Sequence, residues 1–198
     1  SVEIDFTKSQ QTWTQLLSEA DLLAFGHSGR DSSFGLIYQN YLLWIGGWGS
    51  ADILNDVWRY TTTDDKLRLV HNIVFSPSGL ARHSAVLVGN NAIIFGGINS
   101  KLSPTSDLYE FNLDTEEWMT IIPSGALPRP RYDHAAAVIE DQMYVFGGRN
   151  EDEYFGDLWV YSHTMRSWRQ ILFHGDFPSP RAAHTAEVVS NAQYVLVY

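Results

Sequence analysis

The chain has 198 residues, 44% of them hydrophobic and 14% aromatic, with charged residues at 18%. That is too apolar for a disordered polymer and long enough to bury a sizeable core. Thirteen basic against 23 acidic residues give a net charge of −10, which argues against a phosphate-neutralising nucleic-acid surface and against an anionic membrane as partner.

Taken in chain order, the first β-prone runs lie in residues 1–17, where Ile4–Phe6 is followed by Trp13. Residues 30–71 then carry Gly46-Gly47, Asp56-Val57-Trp58, Tyr60 and Leu67. Residues 82–122 repeat the series as His83, Gly96-Gly97, Asp107-Leu108-Tyr109, Phe111 and Trp118. Residues 133–173 repeat it again as His134, Gly147-Gly148, Asp157-Leu158-Trp159, Tyr161 and Trp168. A last unit, 183–198, opens on His184 and ends at Tyr194–Tyr198. The diglycines step by 50 and 51 residues and the histidines by 51 and 50. Several independent landmarks sharing one period identify a repeat architecture.

Within the 133–173 unit, His134–Ile139 and Met143–Phe146 are apolar runs separated by Glu140-Asp141. Asp157–Tyr161 alternates, and Trp168–Leu172 closes the unit after a turn at Ser162–Ser167. Four short strands joined by polar and glycine turns read as an antiparallel meander. A run of such units at one period predicts an all-β propeller of four-stranded antiparallel blades. The 1–17 segment supplies the third and fourth strands of a blade, 30–71, 82–122 and 133–173 are whole blades, and 183–198 supplies the first and second strands of another. That is four blades' worth of strands. Either the two half-blades close a four-bladed ring, or the chain is an excerpt of a larger propeller. An excerpt would expose strand edges and self-associate.

These landmarks resemble the Kelch repeat: a diglycine after an apolar strand, an aromatic residue before a Trp, and the Pro-Arg-x-x-His lead-ins Pro130–His134 and Pro180–His184. Leu67 in place of Trp, the displaced Arg in Leu80-Ala81-Arg82-His83, and Val197-Tyr198 in place of a diglycine depart from the pattern. The resemblance implies a scaffold that receives a peptide or partner domain on one face. Some Kelch proteins instead carry a metal centre and act as enzymes or specifiers, which is the alternative reading.

Catalytic and cofactor motifs are not found. The diglycines lack any phosphate-loop context, so a backbone turn or close approach explains Gly46, Gly47, Gly96, Gly97, Gly147 and Gly148. His83, His134 and His184 stand on separate blades, too far apart for ligands about 2 Å from one ion, and read as structural. Glu153 and Asp157 begin the iron motif of some Kelch proteins, but Tyr161 stands where its His belongs. A copper site built on a Cys-modified Tyr fails for want of cysteine. Gly26-His27-Ser28-Gly29 lacks a nucleophile elbow. No catalytic residue, metal or cofactor is expected. With no cysteine, no apolar run of about 18 residues, and no signal-like order in Ser1–Gln10, a cytoplasmic location is expected, the nucleus remaining open.

Strand alternation puts the links between second and third strands, and between blades, on one face. Binding residues concentrate on such loops, and aromatic and Arg side chains dominate hot spots. Trp48, Arg149, Tyr154, Phe155, Arg131 and Arg181 are therefore the candidate contacts to another protein or peptide. Arg131 and Arg181 share their position with Arg30, so a bracing salt bridge is the competing role. Trp118 and Trp168 recur with the period and belong to packing.

Overall fold

A computed structural model describes residues 29–70, 78–172, 175 and 177–189, with the backbone alone of Val2–Ile4, Trp13–Gln15 and most of Tyr194–Val197. Phe6, the 26–28 segment and the link 71–77 lie outside the described residues.

The described residues form strands and turns, with no helix among them. The first blade is an antiparallel meander of β3 (Phe34–Tyr38), β4 (Tyr41–Trp48), β5 (Ile53–Thr61) and β6 (Lys66–Val70). The second comprises β8 (Ser84–Val88), β9 (Asn91–Phe95), β11 (Leu108–Asn112) and β12 (Glu117–Ile121). The third comprises β13 (Ala135–Ile139), β14 (Gln142–Phe146), β15 (Leu158–Ser162) and β16 (Ser167–Ile171). Two further strand pairs flank them: β1 (Val2–Ile4) with β2 (Trp13–Gln15), and β17 (Ala186–Val189) with β18 (Tyr194–Val197). These pairs are separate two-stranded sheets. Ile4 lies opposite Trp13, whereas the seven-residue spacing of the other blades would set Phe6 there. On the loop face of the second blade a short pair, β7 (Leu80–Ala81) and β10 (Ile98–Asn99), joins the lead-in to the residues after the diglycine.

The core lies between the sheets. In β9, Ala92 and Ile94 pack toward the first blade with Leu43, Ile45, Val57 and Trp118. Ile93 and Phe95, on the opposite face, pack toward the third blade with Met143, Val145, Trp159 and Trp168. Period-two alternation with both faces buried is what a sheet between two sheets requires. Trp118 sits 5.0 Å from the Phe111 ring, and Trp168 sits 4.8 Å from Phe95 of the preceding blade. Leu67, at the equivalent place in the first blade, is buried beside Trp58 and Tyr60.

The first strands stand innermost. The β3, β8, β13 and β17 segments contact one another in sequence and line a central channel of ≈ 470 Å³. Successive sheets therefore fan around one axis, the arrangement of a propeller.

Candidate partner-docking face

Four equivalent residues mark the axis on the loop face. Ser32, Arg82, Asp133 and Ala183 each precede the first strand of a sheet, and each has a left-handed backbone with φ of 54°, 57°, 55° and 56°. The Arg82 N–H donates to Ser32 O at 2.9 Å, Asp133 N–H to Arg82 O at 3.1 Å, and Ala183 N–H to Asp133 O at 2.8 Å. A chain of backbone hydrogen bonds thus steps from sheet to sheet around the mouth. Their shared conformation was invisible in the sequence, because Ser, Arg, Asp and Ala have no common side-chain signal.

The diglycines fix how closely the sheets approach there. A Cβ on Gly96 would lie 2.7 Å from Arg131 O of the next blade, and one on Gly147 2.7 Å from Arg181 O. On Gly97 it would meet Ala81 O at 2.6 Å, and on Gly148 the His134 Cβ at 2.7 Å, both in the residue's own blade. In the first blade, Gly46 lies where the β4–β5 register shifts, against Leu80 O of the second, and Gly47 lies against Asp31 and Ser33. All six glycines have positive φ, so both space and backbone require the missing side chain.

Beside each seam stands a histidine. His134 is within 2.7 Å of Ser84 Oγ and edge-on to Phe95 at 5.2 Å. At the same positions His83 has Phe34 for a neighbour, 6.1 Å away, and His184 has Phe146, 5.4 Å away. Burial pushes His83 down to about 4 and holds His134 well below the ordinary imidazole range, with a smaller lowering at His184. These rings are neutral near pH 7. Among the described residues no three His, Asp or Glu side chains are grouped to hold a metal ion.

Two of the expected docking residues are interior. Arg131 is fully buried: its guanidinium donates to both Asp157 carboxylate oxygens, at 2.7 and 2.9 Å, and to Gly147 O at 2.8 Å. Trp159 Nε1 donates to the same carboxylate at 2.7 Å. Arg30, Asp56 and Trp58 repeat this brace in the first blade. Burial alone would raise Asp56 and Asp157, but the hydrogen bonds from Arg and Trp outweigh it and hold both carboxyls low. Phe155, expected at the surface, is 2% exposed. Its ring lies beneath the Arg129 and Arg131 guanidiniums, at 4.6 and 4.4 Å, and its backbone is bonded to Gly148 and Arg181. A brace that needs Asp157 draws Arg131 inward, and Phe155 shields it, so neither is available to a partner.

The remaining candidates lie nearer the surface. Trp48 is half-buried and exchanges backbone hydrogen bonds with Asp31. Tyr154 is 56% exposed and bridges to the Arg149 backbone. Arg181 donates to Ser179 O and Oγ, at 3.2 and 3.3 Å. Arg149 donates through Nε to Asp133 Oδ2 at 3.1 Å and lies 4.9 Å over the Tyr132 ring. Arg82 Nη1 donates to the same Asp133 oxygen at 3.3 Å and lies 5.9 Å from the same ring. Sequence reasoning singled out Arg149 but not Arg82, Tyr132 or Asp133 as its companions. The available signal was that all four occupy places where the repeats differ: Arg82 matches Ser32 and Ala183, and Tyr132 matches Asp31 and Ala81.

The repeated sheets, braces and glycines agree with a comparison across families: the KLHDC2/KLHL20/DRC7 Kelch-repeats domain matches residues 35–198. The chain belongs to the Kelch-repeat family. Among curated Kelch and related proteins, it is 28% identical over 168 residues to the leucine-zipper-like transcriptional regulator 1 homolog of Drosophila melanogaster, covering 81% of this chain and 17% of that protein. It is 29% identical to Kelch repeat-containing protein 2 of Saccharomyces cerevisiae over 66% of this chain and 16% of the relative. It is 28% identical to Kelch domain-containing protein 2 of Bos taurus over 68% of this chain and 39% of the relative. The chain thus spans well under half the length of these relatives. No helix among the described residues is long and apolar enough to cross a membrane.

Proposed function

We propose that this Kelch domain holds a partner protein or peptide on its loop face, around the mouth of the axis. The observation that carries this reading is the division of labour among positions. Residues that recur with the period are consumed by structure, as in the Arg131–Asp157–Trp159 brace. Residues that differ between repeats collect at the mouth, where Arg82, Tyr132, Asp133 and Arg149 touch one another. A rigid scaffold presenting non-repeating aromatic and Arg side chains is suited to recognition. Nucleic acid fits the net charge of −10 poorly.

Affinity capture from the native cell with the full-length gene product, followed by mass spectrometry, tests the reading. Trp48→Ala and Tyr154→Ala are expected to weaken capture while the melting temperature stays within a few degrees of wild type. Undiminished capture by both variants would move the docking surface off this face.

A further inference from the structure

The lead-in to the last strand pair reads Phe177-Pro178-Ser179-Pro180-Arg181. It is pinned at both ends. Phe177 lies edge-on to Phe146 at 5.4 Å, and the Arg181 N–H donates to Phe155 O at 3.1 Å. Between these anchors Pro178, Ser179 and Pro180 are all exposed and belong to no strand. Pro178 fixes its own φ, and Pro180 keeps the residue before it out of the helical region. Ser179 is therefore held extended at the surface with its hydroxyl outward.

The third blade shows what this position does elsewhere. There Arg131 Nε donates to Arg129 O at 3.2 Å, and Arg181 Nε makes the same bond to Ser179 O at 3.2 Å. Ser179 thus stands where the third blade has Arg129, whose side chain is 59% exposed. The guanidiniums then part company. Arg131 turns inward to Asp157. Arg181 is half-buried, has no carboxylate partner among the described residues, and places Nη2 3.3 Å from Ser179 Oγ. An exposed serine before a proline, with a guanidinium already at its hydroxyl, is a place where a phosphoryl group would be both reachable and welcome.

We infer that Ser179 is a phosphorylation site for a proline-directed serine kinase, with Arg181 as the receiver of the phosphate. Ser179 Oγ attacks the γ-phosphorus of ATP. The new O–P bond forms as the bond to the β,γ-bridging oxygen breaks, ADP departs, and the hydroxyl proton passes to a base of the kinase. The product carries a charge of about −2 and three strong acceptor oxygens. Arg181 donates to them with the geometry that suits phosphate, in bonds stronger than its present neutral ones. The modification also takes Arg181 out of the set of side chains open to a partner. Ser103 is exposed and precedes Pro104 too, but its N–H and C=O are both bonded to Asn99, at 3.3 and 3.1 Å, in a closed turn. It serves as the internal comparison.

Tandem mass spectrometry of the full-length gene product, purified from dividing native cells, tests the site. Phosphate is expected on Ser179 and is expected to vanish in Ser179→Ala at unchanged melting temperature. With a purified cyclin-dependent kinase and ATP, Ser179 is expected to be labelled about tenfold faster than Ser103, because it lies in an open segment. A Ser179 peptide recovered from cells only unmodified, or faster labelling of Ser103, would overturn the site. Phosphorus NMR of the phosphorylated protein tests the receiver. The second ionisation of free phosphoserine lies near about 6, and a neighbouring cation lowers it. Titration is expected about half a unit lower in the wild type than in Arg181→Gln. Identical titrations would overturn the role of Arg181. Partner capture enters none of these measurements, so they fail or succeed independently of the loop-face reading.

Discussion

The second and third blades have the same sheet, the same diglycine and the same closing Trp, yet differ at their lead-ins. In the third, Arg131 is fully buried and locks Asp157, Gly147 and Trp159 together. In the second, Leu80 fills that place, and Asp107 is left exposed with Tyr109 as its donor at 3.1 Å. One of three braces can therefore be absent without altering the fold. A repeat protein has this latitude because each sheet is also held by its two neighbours. The lost brace yields a cation at the axis, which is how a repeated scaffold acquires an individual surface.

The comparison can be broken at its strongest point first. Trp118→Ala opens a cavity between the first and second blades and is expected to cost about 3–5 kcal/mol by urea denaturation. A stable variant would mean that the second blade does not share the packing of the third. Arg131→Ala leaves Asp157 without its cation and is expected to cost about 3 kcal/mol, whereas Arg82→Ala, partly solvated, should cost less than about 1 kcal/mol. Equal costs would erase the distinction between brace and surface arginine.

Acid sharpens the seams. His83 and His134 have folded-state affinities for protons below the unfolded value of 6.5, so the unfolded chain binds protons first. Stability is complete above about pH 6.5 and is lost as pH falls from there toward 4. For His83 the loss at the acid end is roughly 3 kcal/mol. His83→Asn should flatten the melting temperature between pH 7 and 5; an unchanged slope would mean that this ring is not the group being titrated. The two carboxylates of the braces, held low, act later, below about pH 4, as their protonation releases Arg and Trp. The smallest contrast is between carboxylates. Asp157→Asn is expected to cost about 1–3 kcal/mol and Asp107→Asn less than about 0.5 kcal/mol, by the same denaturation measurement.

Most of the fold was legible because its signals are local and repeated. Alternation in Asp157–Tyr161 pointed to a strand with two distinct faces, and the period gave the number of sheets. The site was less legible. Phe155 looked like an exposed anchor because an aromatic residue in a polar loop usually faces a partner; the guanidiniums above it reverse that. The period already marked Arg131 as a possible brace and Arg149 as non-repeating, but only the structure showed that Asp157 and Asp133 hold them at different depths.

The amino-acid sequence by itself determined the blade architecture, since hydrophobic period and turn residues act over a few positions and recur. Only the tertiary structure decided which charged residues meet. Arg82, Asp133 and Arg149 are 51 and 16 residues apart along the chain. Arg82 and Asp133 touch because fanned sheets bring equivalent backbone positions together at the axis, and Arg149 joins them through its backbone bridge to Tyr132, contacts that no local pattern encodes.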